Sequence, residues 1–161
     1  MVKISAGILV YRLENNRVEV FLVHPGGPYF TKKDKGAWTI PKGELNEQED
    51  PFIAARRELF EETGYMHEGN FIPLTAIKQK AGKIVMAWAV KGDIDIKTLS
   101  CNKFSIEWPP RSGKMKEFPE VDKGEWFAID MAKEKINPAQ IAFIDDLIDY
   151  LKRPDPDKTM S

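Results

Sequence analysis

The sequence predicts an α/β domain, and three observations predict it. Two β-branched and aliphatic runs, 4–11 and 18–24, are separated by a short polar turn and read as a hairpin. Asp50, Pro51 and Gly64 mark the start and stop of one helix. A second helix opens at Asn137 and Pro138 and carries Ile141, Ile144, Leu147, Ile148 and Leu151 as a single apolar stripe.

Taken in order, Ile4 to Tyr11 is a buried strand, Arg12 to Arg17 with Asn15-Asn16 is the turn, and Val18 to His24 is the returning strand. Pro25-Gly26-Gly27-Pro28 ends it, and a polar surface loop runs on through Gly36. Trp38-Thr39-Ile40 is a brief extended segment. In the first helix Phe52, Ala55, Leu59 and Phe60 are spaced to face a core. Phe71 to Lys80 and Ile84 to Val90 read as two strands parted by Ala81-Gly82. The stretch from Gly92 to Glu125 is the least regular, and Glu125 to Ile129 reads as a closing strand. No repeat and no linker divides the chain, so 1–152 is expected as one domain and 153–161 as a frayed tail.

Composition limits the partners. With 24 basic against 25 acidic residues the formal net charge is -1, so no polyanion-coating surface and no nucleic-acid polymer partner is expected. The single cysteine, Cys101, excludes an internal disulfide and a zinc-type cluster, and reads as a packing residue. No apolar run approaches a membrane span and Met1 to Ser5 lacks the apolar stretch of a signal peptide, so a cytoplasmic protein without a membrane partner is expected. Monomer and homodimer both stay open.

One segment outweighs the rest. Glu49, Glu58, Glu61 and Glu62 crowd carboxylates around a short helix. Like charges so close are costly unless a cation sits among them. A hard divalent ion is the simplest such cation, and it points to phosphate chemistry. Met alone, Arg57-Glu58-Leu59-Phe60-Glu61-Glu62 would be a solvated helix face with i,i+4 pairs; the glycine loop and the spacing argue against that.

Gly43, Glu49, Arg57, Glu58, Leu59, Glu61, Glu62 and Gly64 fall on a pattern that resembles the signature box of the Nudix hydrolases, with Tyr65 where an aliphatic residue is usual. The resemblance implies an α/β/α sandwich with a mixed sheet and a Mg²⁺-dependent hydrolase of a nucleoside diphosphate linked to another group, with Mn²⁺ as an alternative ion. Glu58, Glu61 and Glu62 would hold the metal, with the Lys42 backbone carbonyl as a further ligand. Arg57 would pair with a box carboxylate such as Glu49. A further carboxylate outside the box is expected among Glu107, Glu117, Glu120 and Glu125. In several relatives it stands six residues before a Trp, which selects Glu120 (before Trp126) as metal ligand or general base.

Substrate contacts are expected from Lys42, Trp108, Arg111 and Lys114. Trp38 and Trp126 read as core aromatics. His24 reads as a surface histidine, and Lys32, Lys33 and Lys35 as a solvated loop. The runs that accompany NADH, ADP-ribose or diadenosine specificity in the family are absent after Tyr65. Trp38 to Gly43, however, resembles the lead-in of nucleoside triphosphate and diadenosine polyphosphate hydrolases. The expected substrate is therefore a nucleoside triphosphate or a dinucleoside polyphosphate. An ADP-ribose type hydrolase is the alternative, and a catalytically silent nucleotide-binding module is the alternative of another class.

Overall fold

The structure is a computed structural model that describes residues 2–99 and 102–153. Cys101 and the expected tail beyond Arg153 lie outside the described residues.

The hairpin forms as β1 (Ile4–Glu14) and β2 (Arg17–Pro25). It is longer than the apolar pattern alone indicates, because Asn15 and Asn16 take φ of 53° and 64° and close a two-residue turn. After β3 (Lys42–Glu44) and α1 (Pro51–Thr63) come β4 (Ile72–Pro73), β5 (Ile77–Lys78) and β6 (Ile84–Lys91). The sheet runs β4-β6-β1-β2 and ends on β9 (Val121–Ala128), with β3 beside β1 and β5 beside β6. Only the β1–β6 pair is parallel, so the sheet is mixed as expected.

Period-two alternation along β1 divides the core. Ala6, Ile8 and Val10 pack with Ala54, Ala55 and Leu59 of α1. Leu9 and Tyr11 face the other way, toward Ala132 of α2 (Ile129–Lys135) and Phe143, Ile144 and Leu147 of α3 (Ile141–Lys152). Helices thus cover both faces, which gives the α/β/α sandwich. Trp38 is buried as expected, while Trp126 is half-buried with its indole N–H on the Ile94 carbonyl at 3.0 Å.

Four expectations need correction. Phe60 points to solvent at 48% exposure, because the buried stripe of α1 runs through Ala54, Ala55, Glu58, Leu59 and Glu62. The strand expected over Phe71 to Lys80 survives only as two-residue pieces: Pro73 has no N–H to give, and the Thr75 N–H goes to Asp146 Oδ2 instead. The region expected to be irregular holds a hairpin, β7 (Lys103–Glu107) with β8 (Met115–Pro119). His24 is buried, not a surface residue: Nδ1 meets Asp122 Oδ1 at 2.9 Å and Nε2 meets the Lys33 carbonyl at 2.7 Å. It ties loop 25–36 to β9.

Candidate active site

The lead-in to the site is fixed from two sides. Val23 and Thr39 exchange backbone hydrogen bonds of 2.9 and 3.0 Å. Buried Gln140, just before α3, accepts from the Ile40 N–H at 3.0 Å through Oε1. Nothing in the local sequence marks Gln140, since its partner lies 100 positions away.

Strand β3 then sets out backbone donors and acceptors. Ile8 N–H donates to the Pro41 carbonyl at 3.1 Å, and Leu45 N–H to the Ile4 carbonyl at 3.2 Å. An antiparallel ladder alternates, so Gly43 turns its backbone toward β1 while Lys42 and Glu44 turn theirs away. Arg57 Nη2 reaches the Glu44 carbonyl at 3.3 Å, which places that outward side against α1. The Lys42 carbonyl points to the same side.

Helix α1 presents the carboxylates. The Asp50 side chain caps it, accepting from Phe52 N–H and Ile53 N–H at 3.0 and 3.2 Å. Gly64 ends it at φ 76°, and its N–H returns to the Phe60 carbonyl. Arg57 grips Glu49 in bidentate fashion, with both contacts at 2.9 Å, so the expected Arg57–Glu49 pair is present. Its Nη1 also lies 3.0 Å from Glu58 Oε1 and 3.0 Å from Glu61 Oε2. This guanidinium is therefore a hub for three box carboxylates. The arginine beside it holds Glu49 below the usual carboxylate range.

The remaining acids are pushed the other way. Burial raises Glu58, against the pull of Arg57, and Glu61 adds to the rise. Glu62 stands well above the ordinary value through burial and then repulsion from Glu58 and Glu120, with the Lys42 ammonium offsetting part of it. Partial desolvation at the pocket rim, and then the charge of Glu61, raise Glu120 although much of its surface stays open to solvent. Burial and the neighbouring charge of Lys83 lower Lys42. Glu62 Oε2 is buried without a hydrogen-bond partner, a costly state for a carboxylate. Together Lys42, Gly43, Glu44, Glu58, Glu61, Glu62, Lys83 and Glu120 line one pocket of about 480 Å³.

This donor set fits a hard divalent cation such as Mg²⁺. Five glutamates, Glu44, Glu58, Glu61, Glu62 and Glu120, line one pocket beside Lys42, and one buried Glu62 oxygen lacks a partner. Among the described residues no three acidic or imidazole side chains are drawn tightly enough together to form a closed cage. Arg57 Nη1, lodged between Glu58 and Glu61, accounts for part of that spacing.

The sequence model of the NUDIX domain family matches residues 1–147. The chain belongs to that family. Nudix hydrolase 7 of Arabidopsis thaliana is 37% identical over 76 residues, covering 47% of this chain and 25% of that protein. RNA pyrophosphohydrolase of Bartonella henselae is 38% identical over 64 residues, 37% of this chain and 34% of that protein. The chain thus aligns with about a quarter and a third of the length of these curated relatives. Among solved structures, the C. elegans Ap4A hydrolase binary complex superimposes with a TM-score of 0.66 at 21% identity, covering 91% of this chain and 97% of that one. The NUDIX domain of Shewanella oneidensis NrtR, complexed with ADP ribose, gives a TM-score of 0.66 at 14% identity, covering 94% and 90%. At those identities the likeness is one of fold.

In this Nudix domain Lys42, Glu58, Glu61, Glu62 and Glu120 share the pocket, with Arg57 bonded behind them. Trp108, Arg111 and Lys114 do not join them. They occupy the tip of the β7–β8 hairpin, where Trp108 packs edge-on against Tyr29 at 5.4 Å. At about 3.3 Å per residue along β8, Lys114 stands roughly 20 Å from Glu120. Conversely, Lys83 and Glu44 line the pocket without having been anticipated. Lys83 is brought there by the pairing of β6 with β1, which no local pattern encodes. Among the described residues no helix is long and apolar enough to cross a membrane.

Proposed function

We propose that this chain is a Mg²⁺-dependent pyrophosphohydrolase that cleaves a diphosphate linkage in a nucleoside polyphosphate, either a nucleoside triphosphate or a dinucleoside polyphosphate. The carrying observation is the shared pocket of Glu58, Glu61, Glu62 and Glu120, with one Glu62 oxygen buried and unpaired. Glu58, Glu61, Glu62, Glu120 and the Lys42 carbonyl would hold the ion. When bound, such an ion neutralises phosphate charge and activates water.

The chain's own groups do the rest. Arg57 fixes Glu58 and Glu61 from behind and takes no part in substrate contact. Glu120 stands at the rim with its affinity for a proton raised, which suits a base. Water attacks a phosphorus, the anhydride P–O bond breaks, and Glu120 takes the water's proton. Trp108, Arg111 and Lys114 can contribute only to a substrate that extends from the pocket to the hairpin tip, which favours the dinucleoside form where they bind at all.

The deciding experiment is product identification across a panel of nucleoside triphosphates, dinucleoside polyphosphates and ADP-ribose, with and without Mg²⁺. The proposal expects Mg²⁺-dependent release of a mononucleotide with pyrophosphate, or of two nucleotides. Turnover of ADP-ribose alone moves the substrate class, and turnover of none makes the chain a binding module.

A further inference from the structure

The link that carries Glu120 borders an irregularity in the sheet. Phe21 and Val23 of β2 face α1, and they stand opposite Trp126 and Gly124 of β9. Strict alternation would put Asp122 next on that face. Instead the register shifts: His24 pairs with Lys123, and Pro25 with Val121. Asp122 is therefore the extra residue of a β-bulge, and Val121 takes its place in the α1-side core at 7% exposure. Glu120, which comes before the bulge, is set one residue out of step with β9.

Buried His24 holds this bulge. Its ring packs edge-on against Trp38 at 5.2 Å, with Nδ1 2.9 Å from Asp122 Oδ1 and Nε2 2.7 Å from the Lys33 carbonyl. A carbonyl only accepts, so Nε2 carries a proton. One side chain thus joins the bulge to loop 25–36, and that loop in turn grips Glu120. The Gly26 N–H donates to the Glu120 carbonyl at 2.9 Å, and a Cβ on Gly26 would fall 1.8 Å from the Pro119 carbonyl oxygen. From the other side the Glu120 N–H donates to the Asn102 carbonyl at 2.9 Å. Both backbone polar groups of Glu120 are therefore tied, while its side chain stands exposed at the pocket rim. A rim carboxylate keeps a reactive geometry only where its backbone is fixed.

We propose that His24 and Asp122 are positioning residues: their hydrogen bond holds the bulge that aims the Glu120 carboxylate into the pocket, and Gly26 locks the link in place. Neither His24 nor Asp122 lines the pocket, so both act through Glu120. The inference deepens the proposed hydrolase reading and rests on Glu120 taking part in it.

The test compares wild type with Asp122→Ala, Asp122→Asn, Glu120→Gln and the double variant Glu120→Gln/Asp122→Ala, each checked for folding by a thermal melt. The Asp122 side chain is 33% exposed, so its truncation should leave the fold intact. With Mg²⁺ and the nucleotide that wild type turns over best, Asp122→Ala should lower kcat about 10-fold and leave KM little changed, as displacement of a positioned group does. Asp122→Asn should restore the rate, because an amide offers Nδ1 both a donor and an acceptor. In the Glu120→Gln background Asp122→Ala should cost nothing further, whereas a merely structural role would lower both backgrounds alike. A second readout is independent of turnover: the Gly26 and Glu120 amides should exchange hydrogen about 10-fold faster in Asp122→Ala at nearly unchanged Tm. An unchanged kcat, an equal loss in both backgrounds, or unchanged exchange at the two amides overturns the proposal. Faster exchange beside a wild-type rate in Glu120→Gln leaves the clamp standing and removes Glu120 from the reaction.

Discussion

Glu58 lies flat against the backbone of Gly43: a Cβ at Gly43 would fall 2.1 Å from Glu58 Cδ and 2.2 Å from its Oε1. The glycine at the head of the box is thus explained by close approach. Any side chain there must push the buried carboxylate away from the pocket.

Gly43→Ala should therefore lower kcat by about 100-fold, since displacement of a positioned group by about 1 Å costs that order. Unfolding should change little, because β3 is a three-residue strand beside β1. Steady-state rates alongside a thermal melt check this, and a variant with wild-type kcat would show that Glu58 need not sit there.

Glu62 makes the metal-free fold sensitive to pH. Its carboxyl and that of Glu58 are held above the ordinary value of 4.5, so the protonated forms favour the fold. Their stabilisation is fully present below about pH 4.5 and is lost as pH rises through the raised values. In EDTA the Tm should fall over that window, and Glu62→Gln should flatten the fall. At neutral pH the variant should be more stable than wild type by about 1 kcal/mol, roughly 2–4 °C. Mg²⁺ should stabilise wild type and leave Glu62→Gln nearly unmoved. A Tm independent of pH in EDTA would contradict the electrostatic account.

Glu120 occupies the rim, in the short link between β8 and β9, where its N–H donates to the Asn102 carbonyl at 2.9 Å. Glu120→Gln should keep the fold and lose about 100-fold or more in kcat, the usual contribution of a positioned base. The acid limb of the pH–rate profile, which reports a base that must be ionised, should shift or disappear in the variant. A variant with an unchanged rate would move the base into the box, because Glu107 is turned to the hairpin tip through the Arg111 N–H and Glu117 and Glu125 line no part of the pocket.

What was legible in the sequence follows the range of the interactions. The α1 caps and the Asn15-Asn16 turn depend on neighbours within one turn, and their residue types announce them, whereas the Arg57–Glu49 pair was expected from the family resemblance. Like the caps, Glu58, Glu61 and Glu62 are legible locally, being carried on one helix. Glu120 was reached only through family resemblance. Lys83, Glu44, Gln140 and buried His24 depend on strand pairing and loop closure, which periodicity does not record. Trp108, Arg111 and Lys114 looked like site residues because aromatic and basic types stood in a turn-rich stretch. The β7–β8 hairpin carries that stretch away from the carboxylates.

The central claim is that these carboxylates bind a divalent cation, and Mn²⁺ titration followed by electron paramagnetic resonance tests it without any substrate. Wild type should remove free Mn²⁺ from solution in competition with Mg²⁺, and Glu62→Gln should bind at least ~10-fold more weakly, as loss of one carboxylate ligand demands. Equal Mn²⁺ binding by the two proteins, or none by wild type, would contradict the account.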